Sequence, residues 1–152
     1  MRLLVFCLAT LTLSAQSPDR DKIVTTVQRT FDAMAAKDAA AFRAELHPAA
    51  QFFSVRPDGT MNVSTVDQFA ARLPDMKEGI LERMWKPEVR VSGRLAAVWT
   101  EYDFHRGGKF SHCGIDAIHL MKGADGAWKI TSIAYDVNPT GCVPSPLGPP
   151  KN

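Results

Sequence analysis

Between Leu95 and Val137 the chain reads LAAVWTEYDFHRGGKFSHCGIDAIHLMKGADGAWKITSIAYDV, and few folds can accommodate that stretch. Apolar and polar residues nearly alternate, Val, Ile, Trp, Tyr and Phe are abundant, and glycine sits at two bends, so three antiparallel strands joined by two tight turns are predicted. Gly107-Gly108 suits a two-residue hairpin, because a primed turn needs the positive φ that glycine adopts cheaply. Asp125-Gly126 marks the second bend.

The turns set a register. If Gly107 and Gly108 form the whole first loop, Arg106 faces Lys109, Asp103 faces His112 and Trp99 faces Asp116. One face then carries Trp99, Glu101, Asp103, His112, Asp116, Ile118 and Leu120. A three-residue second loop, Ala124 to Gly126, adds Trp128, Ile130, Ala134 and Asp136 to it, whereas a four-residue loop reverses the third strand. The opposite face holds Val98, Tyr102, Phe104, Cys113, Ile115, Ala117, Ile133, Tyr135 and Val137. Both faces are too apolar to lie open to water, so each should be covered.

A chain of 152 residues with 45% hydrophobic and 22% charged residues can build a single core. A net charge of +2 without a basic run gives no footprint for nucleic acid or for acidic lipid. At the N-terminus, Arg2, the apolar run Leu3 to Leu13 and the small pair Ser14-Ala15 read as a signal peptide over residues 1–15. That run falls short of the roughly 18–20 residues a bilayer span needs. No cysteine stands where a lipid anchor would attach, so export to the periplasm or beyond, without a membrane anchor, is expected. Cleavage removes Cys7 and leaves Cys113 and Cys142, a pair suited to one disulfide in an oxidising compartment. The alternative is a buried Cys113 and a free Cys142. Residues 16–137 form the expected domain, and 138–152, with five prolines after Val137, a tail without a packed element.

Upstream of the ribbon, Ser17 and Pro18 open a helix whose inner stripe is Ile23, Val27, Phe31 and Met34. Asp38 caps a short second helix bearing Phe42 and Leu46, which Pro48 ends. Gln51 to Val55 reads as a strand and Pro57-Asp58-Gly59 as a turn. Thr65 with Gln68 forms a capping box before a third helix with Val66, Phe69 and Leu73 inward. Ile80 to Val91 returns to strand, at an edge or with a bulge, because Pro87 has no ladder donor. Helices first and a meander after them is the α+β order, with helices on one sheet face.

Several short words recur in a familiar order: Lys37-Asp38-Ala39-Ala40-Ala41, Leu46-His47-Pro48, Asp58-Gly59, Gly108 to Gly114, Asp125 to Ile130 and Thr140-Gly141-Cys142. In these the chain resembles the nuclear transport factor 2-like superfamily with its SnoaL-like proteins, and most of all a bacterial lumazine-binding-like subgroup, over roughly Asp21 to Cys142. The resemblance implies a cone-shaped α+β fold, a curved, mainly antiparallel sheet wrapped on N-terminal helices, with a pocket at the wide end. It also implies a homodimer through the outer sheet face. Enzymes and non-catalytic binders share this fold, so fold alone does not assign function. The isomerase branch would place a carboxylate base where this chain has Ser54, and Gln51 to Val55 holds no acid; no residue demands a pteridine.

His112 is the strongest chemical candidate, with Asp116 and Asp103 as its expected carboxylate partners in acid–base work. The superfamily's dehydratases use a histidine–aspartate pair inside the cone. Trp99, Trp128 and Ile118 are the expected ligand walls. His47 finishes a helix, His105 sits at an exposed turn and His119 lies near the far bend. No ligand spacing points to metal, and no motif to a cofactor. The reading is an exported protein that binds a small apolar or aromatic molecule. Its alternatives are a cofactor-independent dehydratase, isomerase or cyclase using His112, and a ligand-free dimeric scaffold joined through Tyr102, Ile115 and Ile133.

Overall fold

The computed structural model describes residues 18–150; the expected signal segment and the Ser17 cap lie outside the described residues. Three helices precede or interrupt a six-stranded sheet: α1 (Pro18–Ala35), α2 (Ala39–Ala44), β1 (Leu46–Val55), β2 (Met61–Thr65), α3 (Val66–Arg72), β3 (Ile80–Ser92), β4 (Leu95–Arg106), β5 (Lys109–Lys122) and β6 (Trp128–Asp136). The sheet is curved and unclosed, ordered β2-β1-β6-β5-β4-β3, with every pairing antiparallel except β1 with β6.

The local chemistry explains most of these bounds. Ile23, Val27, Phe31 and Met34 are buried along α1, which packs on β3 and β6. Asp38 caps α2 by accepting from the Ala40 and Ala41 amides. Thr65 and Gln68 close a reciprocal capping box on α3. The strand β3 is an edge, and its ladder slips between Trp85 and Glu88, where Lys86 takes φ 50° and Pro87 lacks a donor.

Two elements differ from the sequence reading. The second helix stops at Ala44, and Leu46, His47 and Pro48 belong to β1, because Leu46 pairs with Ile130 of β6. Met61 to Thr65, for which the sequence suggests no element of its own, folds back on β1 as β2.

The ribbon differs by register. Gly107 (φ 54°) and Gly108 (φ 74°) do form the two-residue turn, and Arg106 faces Lys109. Ser111 then bulges, so His112 faces Phe104, Cys113 faces Asp103 and Ala117 faces Trp99. Beyond that point the β4 residues on the His112 face are Val98, Thr100, Tyr102 and Phe104. A second bulge at Thr131 keeps Trp128 and Ile130 inward but exchanges Ala134 and Asp136 for Ile133 and Tyr135. A bulge adds one residue to one strand and bends it. These two lie where the sheet must curl around the helices.

The core fills the concave side. Phe42, Phe52 and Phe69 stack with centroids 5.1–5.9 Å apart. On the convex side the tail has no helix or strand of its own, yet it is fastened. Asn138 exchanges backbone bonds with Cys113, Cys142 is disulfide-bonded to Cys113, and Arg83 donates to the Gly148 carbonyl at 2.8 Å.

Candidate functional site

Between α1, the α2–α3 aromatic cluster and the concave sheet lies a cavity of about 120 Å³. Its walls are apolar and aromatic, including Phe31, Phe52, Phe69 and Phe104, and its polar groups are Thr30 on α1, Glu82 on β3, Tyr102 and Arg106 on β4, His112 and Asp116 on β5, and Tyr135 on β6. Period-two geometry on β5 aims His112, Gly114 and Asp116 the same way. Only glycine fits at position 114, because a Cβ there would lie 2.1 Å from the Asp136 carbonyl oxygen and 2.9 Å from the Tyr102 ring. The Tyr102 hydroxyl donates to that same carbonyl at 2.7 Å. Gly114 thus lets the Tyr102 ring and the β6 backbone close the cavity wall.

Asp116 is fully buried, and among the described residues neither of its carboxylate oxygens has a hydrogen-bond partner. Burial pushes it up to about 7; contact with Glu82 moderates the rise and the charge of Asp136 adds to it. Glu82 rises well above the ordinary carboxylate range, first from burial and then from the Asp116 charge beside it. It retains some accessible surface because it lines the cavity, while the surrounding protein withholds bulk water from it. Two neighbouring buried carboxyls cannot both ionise cheaply, so both resist losing their protons.

His112 is held down to about 4, mainly by burial and then by the positive charge of Arg106, so its imidazole is neutral near pH 7. Its ring stacks on Phe104 at 4.8 Å, and Ser111 Oγ lies 3.0 Å from Nδ1. Burial also raises the Tyr102 and Tyr135 hydroxyls, which stay protonated. Arg106, exposed at the rim, lies over the Phe104 ring.

A model of the family described as "Putative lumazine-binding" matches residues 18–136. The chain belongs to that family. No curated protein matches this lumazine-binding-like sequence. Solved structures share its nuclear transport factor 2-like, α+β fold. A protein of unknown function with a cystatin-like fold from Nostoc punctiforme is 12% identical, with TM-score 0.66 over 82% of this chain and 95% of that one. A nuclear transport factor 2-like protein from Cytophaga hutchinsonii is 15% identical, TM-score 0.67, over 80% and 99%. One from Streptomyces avermitilis, described as a putative dehydratase, is 18% identical, TM-score 0.63, over 80% and 98%.

In the lumazine-binding-like domain, the sequence-derived candidates separate. His112 and Asp116 meet at the cavity. Asp103 does not: the Ser111 bulge turns it to the convex face, where Arg83 donates to it at 2.8 Å and His105 Nε2 lies 3.3 Å away. His105 is buried there, not exposed at a turn. Trp99, for the same reason, is on the convex face and 56% exposed. Trp128 is buried but reaches Asp19 at the start of α1, away from the cavity, and Ile118 is core beneath the helices. Of the proposed scaffold contacts, only Ile115 is convex; Tyr102 and Ile133 face inward. The Cys113–Cys142 disulfide is formed. Sequence reasoning passes over Glu82. Its signal is an acid at the centre of the period-two set Ile80, Glu82, Met84, two of whose members are plainly apolar.

Proposed function

We propose that this chain is an exported small-molecule-binding protein whose ligand enters the concave cavity and supplies the hydrogen bonds that Asp116 lacks. The carrying observation is that both oxygens of a fully buried carboxyl have no protein donor. Leaving such a group unsatisfied costs about 1–3 kcal/mol, and native proteins seldom do so without a reason. A cavity of about 120 Å³ approaches the roughly 150 Å³ that encloses a benzene ring, so the ligand is a single small ring or its equivalent. Aromatic walls supply affinity, while Asp116, Glu82 and His112 set orientation.

Export is supported by the disulfide, which suits an oxidising compartment, and by the N-terminal sequence. Among the described residues no helix is long and apolar enough to cross a membrane. Pairing of two copies is supported by the convex apolar groove around Phe53, Val63, Trp99 and Ile115.

The test is two-dimensional NMR of labelled protein against a library of single-ring compounds. Shifts should centre on Glu82, His112 and Asp116. A library that leaves those residues untouched would remove the binding reading.

A second reading is favoured by the elevated Asp116 carboxyl, since an acid–base group works best near the ambient pH. In a cofactor-independent dehydratase, isomerase or cyclase, Asp116 would move the proton and neutral His112 would donate a hydrogen bond. That departs from His112 as the titrating group. Turnover abolished in Asp116→Asn with binding retained would favour catalysis over binding alone.

A further inference from the structure

We infer that the ligand class of this cavity is a small organic cation, an ammonium or amidinium carried on one ring or a short chain, held by the Glu82–Asp116 pair and faced by aromatic rings. The inference rests on the binding reading above and adds the charge of the ligand.

Three observations converge. Glu82 and Asp116 both line the cavity, and among the described residues neither Asp116 carboxyl oxygen has a hydrogen-bond partner. Of the wall's hydroxyls, Thr30 donates to the Thr26 carbonyl and Tyr102 to that of Asp136, which leaves that of Tyr135. Beside that hydroxyl and the His112 ring, the unpartnered polar atoms of the wall are the Asp116 carboxyl oxygens, which an N–H donor fits. Among the described residues no side-chain cation is salt-bridged to the pair: Arg83, the cation next to Glu82 in sequence, is bound to Asp103 on the convex face. Arg106 stands exposed at the rim, over Phe104.

The remaining walls suit the same guest. Phe31, Phe52, Phe69, Phe104, Tyr102 and Tyr135 line the space, and ring faces attract desolvated cations. A cation relieves the repulsion between two carboxyls that an anion would worsen. A neutral ring gains the apolar contact and at most a neutral hydrogen bond, without the charge attraction. An amidinium can also engage a carboxylate through two parallel N–H bonds.

Calorimetric titration of the full chain with three five-membered rings tests this: the 2-aminoimidazolium cation, uncharged pyrazole and pyrrole-2-carboxylate. The cation should bind at least about tenfold more tightly than pyrazole, and the anion should not bind measurably. In Asp116→Asn and Glu82→Gln, checked for folding by circular dichroism, the cation's advantage over pyrazole should shrink to less than about threefold. Pyrazole binding as tightly as the cation, or the cation keeping its advantage in both variants, would overturn the charge assignment and leave the cavity as a binding site. Failure of all three rings to bind would count against the binding reading itself, and this inference would fall with it.

Discussion

Two buried acidic sites sit back to back on the same ribbon, and their environments are opposite. On the convex face Asp103 is saturated: Arg83 and His105 surround it, and the tail carbonyl of Gly148 takes a further Arg83 proton. On the concave face Asp116 and Glu82 have only each other. Burial alone would raise Asp103, but the bonds from Arg83 and His105 outweigh it and hold it below its ordinary value. Asp116 has no cation beside it, only Glu82 to moderate the rise, and burial wins. One acid is therefore part of what holds the tail and ribbon together, and the other is a fold liability kept where a ligand could use it.

The sharpest way to break this contrast is to remove each acid. Asp103→Ala strands the Arg83 guanidinium in a nearly closed site, and stability should fall by about 3–5 kcal/mol in urea unfolding. Asp116→Asn removes a buried charge without stranding a partner, and it should be neutral or stabilising by up to about 2 kcal/mol. Equal losses from the two variants would refute the distinction. Next in size is the strap that covers the convex site. Replacing both Cys113 and Cys142 with serine should cost roughly 3 kcal/mol by loop-closure entropy. It should also loosen the Arg83–Gly148 contact, seen as faster amide exchange in residues 143–150.

The two sites also differ in pH response. The folded Asp116 carboxyl holds its proton up to about 7, whereas the unfolded chain releases it near 3.8. The folded state thus binds more protons in that window, and its stability falls as pH rises from about 4 to 7, by roughly 1–3 kcal/mol. Asp103 has the opposite sign: its contribution is present above its unfolded value of 3.8 and is lost as pH drops through its lower folded one. Glu82, raised with it, adds a slope of the same sign, so in the Asp116→Asn, Glu82→Gln double variant the urea midpoint should flatten between pH 4 and 7 while acid unfolding below 4 persists. A slope unchanged by those substitutions would place the titrating group elsewhere.

Turn chemistry and helix periodicity are legible in the chain: Gly107-Gly108, the Thr65–Gln68 box, the α1 stripe and the edge strand with Pro87 all follow from local preference. So is the sharing of one face by His112 and Asp116, because it depends on a single strand, although not which face meets the helices. What cannot be read is anything that crosses Ser111 or Thr131. A bulge carries no fixed residue type, and one extra residue exchanges the two faces of everything beyond it. A register counted without bulges therefore puts Asp103 and Trp99 in the cavity, and Tyr102 and Ile133 outside it. Glu82 escapes such a count because its value lies in a neighbour two strands away, and β2 because its pairing partner, β1, is set by tertiary contact.

The smallest expected effect concerns the convex surface itself. Trp99 is 56% exposed beside Phe53, Val63 and Ile115, so replacing it relieves no core contact. Trp99→Asp should change monomer stability by less than about 0.5 kcal/mol. If two copies meet on this face, the same change should shift the sedimentation profile from dimer to monomer, because a charge buried at an apolar interface without a partner is costly. Cavity binding should be unaffected, since the sheet separates Trp99 from Asp116. A dimer that survives the substitution would mean that copies pair elsewhere, and binding lost along with the dimer would mean that the two faces of this ribbon are coupled.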